Sequence, residues 1–196
     1  MVLTVRWLKS TNYPETYRVP DNGFTEIRNN KKGEVMLNKI SEFKKWILYS
    51  ILVAFAAYWA ANLILWIPWT INPTFGMIMM LTVGTVLWLY VIYICLLRYS
   101  GSNLYKASLI IGLLFLLVSG LLDFIFFGLI RGAMEDLYHP TTFYGYGFLI
   151  VLPFLLTYIF SKKIKKNNKD IFKKSFIKAV IIGMLCLTGT TILAYA

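Results

Sequence analysis

Apolar and polar positions fall along this chain in long blocks, not in alternation. Five apolar runs, near 46–67, 75–97, 107–130, 142–160 and 176–195, are separated by short polar stretches. Each is about the 20 residues that an α-helix needs to cross the hydrocarbon core of a bilayer. None shows the period-two alternation of a membrane β-barrel strand. The pattern predicts an all-α polytopic membrane protein, with five transmembrane helices in a bundle.

Punctuation refines the boundaries. Trp59, Trp66 and Trp69 suit an aromatic belt at the membrane interface, and Pro68 and Pro73 are expected to stop helices. Pro153 lies inside the fourth run, where a proline removes one backbone hydrogen bond and frees a carbonyl. Small residues recur four apart, at Ala56/Ala60, Ala57/Ala61, Ser108/Gly112 and Gly128/Gly132. Such faces let helices approach closely in lipid. Leu37, Ile40 and Phe43 precede the first run at three-residue spacing, which suits a helix lying in the interface.

Residues 1–35 read differently. They are polar, contain Pro14, Pro20 and an Asp21-Asn22-Gly23 turn signal, and show no helical apolar period, so a disordered leader is expected. Lys31-Lys32-Gly33-Glu34-Val35-Met36 can be encoded by AAAGGAG a few bases before ATG. That is the arrangement of a bacterial ribosome-binding site, and it makes Met36 the expected start of the native protein.

Composition agrees with the membrane class. Hydrophobic residues make up 58% of the 196 and charged residues 15%, against about a quarter charged in soluble domains. Mean hydropathy is +0.64. The net charge of +11 is explained by where the cations lie. Lys39, Lys44 and Lys45 precede the first run, Arg98 and Lys106 follow the second, and eight lysines lie at 162–178, from the end of the fourth run to the start of the fifth. The remaining loops carry only Arg131. By the positive-inside rule the N-terminus faces the cytoplasm and the C-terminus the outside, in a bacterial plasma membrane. The lysine loop at 162–178 is a candidate contact for anionic lipid; nucleic acid is not expected as a partner. Cys95 and Cys186 sit inside apolar runs as packing residues.

The candidate chemistry centres on residues 121–147. This stretch holds the single histidine, His139, and Asp123, a carboxylate inside an apolar run. A carboxylate within a transmembrane helix costs about 2.5–3.5 kcal/mol or more unless paired, protonated or wetted. Asp123 therefore marks either a functional site or a packing hydrogen bond to Asn62 or a threonine. Helical rise places Asp123 about 12 Å below Arg131. Asn62, Thr82, Thr85, Thr188, Thr190 and Thr191 fall at matching depth, so every span is expected to bring polar groups to one level. Asp123, Phe127, Arg131 and Glu135 recur four apart along one helical face, and Arg131 and Glu135 are spaced to pair. Arg131 also suits an interfacial arginine reaching for headgroups.

The candidate ligand-binding residues are Asp123, Arg131, Glu135, Asp136, His139, Asn62, Tyr144 and Tyr146, with Trp66 and Trp69 as flat apolar walls. No catalytic set, metal site or cofactor is expected. One histidine lacks the second ligand of an H-E-x-x-H site and cannot give bis-histidine haem ligation. The expected function is binding or helping to move a small molecule, lipid or peptide in an outward-facing polar pocket. Two rivals come from other classes. One is a structural or regulatory subunit that packs on a larger membrane partner through the alanine face of the first span. The other is a membrane-embedded enzyme using Asp123, Glu135 or His139.

Overall fold

The computed structural model describes residues 21–132, 134–138, 140–167 and 169–195. Side chains are described from residue 36 onward, apart from Trp66, Ile130, Asp136, Pro140, Thr141, Ala194 and Tyr195. The described residues are helical, without strands. Five helices are long and apolar enough to cross a membrane: Met36–Ile71, Pro73–Leu97, Leu104–Leu129, Thr142–Lys166 and Lys173–Leu193. The chain is thus a multi-pass helical membrane protein by length and composition.

Two compact units divide it, residues 1–39 and 40–196. In the first unit, residues 1–20 of the expected leader lie outside the described residues. Residues 21–35 have helical backbone although they lack a helical apolar period; they belong to helix α1 (Asp21–Ile71).

In the second unit, α1 is followed by α2 (Pro73–Leu97) and α3 (Leu104–Asp123), which continues as a π-helical turn over Phe124–Ile130. A short α4 (Met134–Leu137) precedes α5 (Pro140–Lys166) and α6 (Lys173–Tyr195). Pro68 does not end α1 as expected. It sits inside the helix, and its own carbonyl accepts from Asn72 N at 3.1 Å. A proline this near the C-terminus forfeits one hydrogen bond and leaves only one more turn to distort. The break comes at Asn72, whose Oδ1 accepts from Thr74 N at 2.7 Å, and Pro73 opens α2 at a position where its missing N–H costs nothing.

Long-range contacts order the helices. α3 packs most extensively on α5, and α2 packs on both. Between α3 and α5, a Cβ added to Gly112 would stand 3.4 Å from Ile150 Cα and 3.6 Å from the Leu149 carbonyl, the acceptor whose partner Pro153 removed. One turn away, the buried Ser108 hydroxyl meets Pro153 O at 3.1 Å and Thr157 Oγ1 at 2.6 Å. The expected small-residue face of the third span is therefore the seam on which α5 rides.

The alanine face of α1 is likewise used within the chain. Ala54, Ala56, Ala57 and Ala61 are buried, and Ala56 is opposed by Gly183 of α6, where an added Cβ would lie 3.3 Å from the Ala56 Cα. Trp59 is not a belt residue. It is 2% exposed and packs edge-on against Phe126 at 5.7 Å.

One end of the unit gathers the basic residues. Trp46 Nε1 donates to Cys95 O at 2.9 Å, and the Arg98 guanidinium lies 4.4 Å over the Tyr49 ring, donating to the Tyr49 hydroxyl and to Ser175 Oγ. Lys169 N donates to Leu97 O at 2.9 Å, tying the lysine loop to the end of α2. The eight lysines of 162–178 are all exposed.

Candidate functional site

At the other end, four helices surround a cavity of about 710 Å³. Ligand pockets commonly measure about 300–1,000 Å³. Asp123, half-buried at the last α-helical position of α3, places its carboxyl group in this cavity. Its two carboxylate oxygens are divided between two tyrosines. The Tyr58 hydroxyl of α1 donates to Oδ1 at 2.7 Å, and the Tyr146 hydroxyl of α5 donates to Oδ2 at 2.6 Å. Bonds from neutral hydroxyls to a carboxylate are short and about twice as strong as neutral pairs. They stabilise a charge that lipid would otherwise expel.

Local sequence explains the placement. Tyr58 and Asn62 are one turn apart on α1, and Asn62 Nδ2 donates to Tyr58 O at 3.0 Å. Ser119 and Asp123 are one turn apart on α3, and both line the cavity. Tyr58 and Phe126 line the cavity and belong to a buried cluster with Trp59 and Leu122. Trp69, Trp88 and Phe127 supply further walls, with Tyr144 and Arg131 exposed at the mouth.

The wall also carries the two π-helical turns of the chain's described residues. Met80–Gly84 interrupts α2 and Phe124–Ile130 ends α3; Met80, Leu81, Gly84, Phe126 and Phe127 all face the cavity. π-turns in otherwise α-helical segments are rare and concentrate at functional sites. This one alters the expected register. Arg131 N bonds to Phe126 O at 2.9 Å, five residues back, and Gly132 then adopts φ +64°, a conformation suited to glycine. The continuous face expected through Asp123, Phe127, Arg131 and Glu135 therefore ends before Glu135, which lies exposed on α4. Arg131 instead stacks its guanidinium 5.6 Å from the Phe127 ring centroid.

Of the residues singled out by sequence, Asn62, Asp123, Arg131, Tyr144 and Tyr146 line the cavity together, as does Trp69. Glu135 does not. The Asp136 side chain, the Trp66 side chain and His139 lie outside the described residues. The convergence expected from five spans comes from four. Thr188, Thr190 and Thr191 of α6 turn their hydroxyls onto carbonyls one turn back, at 2.9, 2.8 and 2.8 Å. Thr82 does the same to Ile78 O, while Thr85 lines the cavity. A serine or threonine in lipid satisfies itself this way when no better partner faces it.

Sequence reasoning missed Tyr58, assigning the partner of Asp123 to Asn62 or a threonine. The signal was the i, i+4 spacing of Tyr58 and Asn62, which puts a phenol and an amide on one face of the first span. Comparison with protein-family models, curated proteins and solved structures returns no match.

Proposed function

We propose that this chain is a multi-pass protein of a bacterial plasma membrane that binds, or helps to move, a small molecule, lipid or peptide. The observation that carries the reading is the Tyr58–Asp123–Tyr146 cluster, because it opens into a cavity of about 710 Å³ instead of being packed over. A carboxylate kept only to fix helix packing would be expected to be covered by side chains on every side. Here Asn62, Ser119 and Arg131 share that space with aromatic walls. In the proposed orientation, the exposed lysines of 162–178 face the cytoplasm, where they meet anionic headgroups, and the cavity opens on the outer side.

For the subunit reading, Ala54, Ala56, Ala57 and Ala61 of the first span are buried within the chain and Ala60 is partly exposed, which leaves less of that face for a partner. For the reading as an enzyme using Asp123, Glu135 or His139, Asp123 lies in the cavity, Glu135 is exposed on α4, and His139 lies outside the described residues.

A thermal-shift screen of purified wild type and Asp123→Asn against lipids, peptides and small metabolites tests the proposal. Ligands that stabilise the wild type and not the variant support it. A variant that changes stability alone, with no ligand response in either protein, would overturn it.

A further inference from the structure

We infer that the cavity takes an amphipathic amine, a protonated amino group carried on an apolar body; the inference rests on reading the cavity as a binding site. Its depth presents acceptors to whatever enters. Tyr58 and Tyr146 both spend their O–H on Asp123, so their oxygens have only lone pairs left. A carboxylate has about four acceptor positions, of which the two tyrosines take two. Asn62 gives one amide N–H to Tyr58 O; its second N–H is a donor and its carbonyl oxygen an acceptor. Ser119 Oγ is buried without a hydrogen-bond partner, although Ser119 is 4% exposed and lines the cavity one turn from Asp123.

The complement of a negative, acceptor-rich floor is a cation with several N–H donors. An ammonium supplies three, which suits the acceptor positions of Asp123 that the tyrosines leave open. The walls favour the same sign of charge. Trp69, Trp88 and Phe126 line the same cavity as the carboxylate, and an aromatic ring face attracts a cation by about 0.5–2 kcal/mol. The remaining lining, with Leu65, Met80 and Leu149, is hydrocarbon and suits an apolar body.

An anionic ligand fits less well. Among the described residues, the cationic side chain in the lining is Arg131, which is exposed at the mouth beyond the π-turn. To use the depth of the cavity it would have to meet the Asp123 carboxylate.

The test uses the full chain in nanodiscs of zwitterionic lipid, with empty nanodiscs as the partition control. Three probes share one apolar body and differ in charge: phenylbutylamine, phenylbutanol and phenylbutyrate. Tryptophan fluorescence reports binding, because Trp69 and Trp88 line the cavity. Saturable binding of the amine about tenfold tighter than the alcohol, with the carboxylate weakest, is the expected result. Asp123→Asn abolishes that preference, and Asp123→Glu retains it. Equal or tighter binding of the alcohol or the carboxylate overturns the amine assignment and leaves the binding site standing. So does an amine preference that survives in Asp123→Asn. Absence of saturable binding by all three overturns the binding site as well. The wild-type ranking decides the matter even where a variant fails to fold.

Discussion

Tyr58 and Tyr146 stand on opposite sides of one carboxylate, each holding a different oxygen of Asp123, at 2.7 and 2.6 Å. Neither tyrosine needs the other for geometry, yet each depends on the same charge. Removing one donor leaves the carboxylate half satisfied; removing the carboxylate orphans two hydroxyls.

This interdependence makes stability non-additive. Asp123→Leu alone is expected to destabilise by about 2–3 kcal/mol, because two hydroxyls lose their acceptor. The triple change Asp123→Leu, Tyr58→Phe, Tyr146→Phe removes every polar member and recovers most of that loss. Reversible unfolding in detergent measures both. A triple variant less stable than the single one contradicts the shared-carboxylate account.

At the α3–α5 seam, Gly112→Leu is expected to cost about 1–3 kcal/mol, since its side chain meets the backbone of Ile150 and Leu149. Gly147→Leu, whose Cβ has nothing within 4 Å, is the control and shifts stability by no more than about 0.5 kcal/mol. The same unfolding assay compares them.

The basic end offers a different contrast. Burial lowers the pKa of Arg98 from its ordinary value, but an arginine keeps its charge in proteins. Its planar group lies over Tyr49 while donating to Tyr49 and Ser175. Arg98→Lys preserves charge and loses the fork and the stacking, so a loss of about 1 kcal/mol is expected, detectable as a lower Tm. Equal Tm values would reduce the arginine to a charge.

Orientation is checked by labelling. In intact bacterial cells, a cysteine at position 165 in place of Lys165 is expected to resist a membrane-impermeant thiol reagent, and one at position 144 in place of Tyr144 to react. Both side chains are exposed, so reactivity reports the side of the membrane. Cys95 is buried and Cys186 half-buried, which keeps the background low. The reverse pattern would invert the proposed topology.

The spans were readable because length and apolarity alone decide what crosses a bilayer, and no residue-level detail was needed. Asp123 was readable for the same reason: a lone carboxylate in hydrocarbon has to be answered. Its partner was not, because an aromatic residue with a hydroxyl looks like any other apolar residue in a hydrophobic run, and Tyr58 carries no signal beyond its spacing to Asn62. Trp59 was misplaced by a rule that reads tryptophan as interfacial, when its ring here is buried against Phe126. The π-turn after Asp123 was invisible too. It depends on packing around Phe126 and Phe127, and four-residue spacing counted along the chain assumes an α-helix throughout.

A π-turn holds one more residue than the α-helical turn it replaces. Each α-helical residue advances the chain by about 100°. Arg131 therefore owes its position at the cavity mouth to a phase shift equivalent to a single codon. Deleting one residue between Phe124 and Ile130 would leave the span's composition almost untouched and swing everything beyond it around the helix axis. The length of the third span thus shapes the cavity as much as any side chain does, and a chain one residue shorter there should be expected to line that cavity differently.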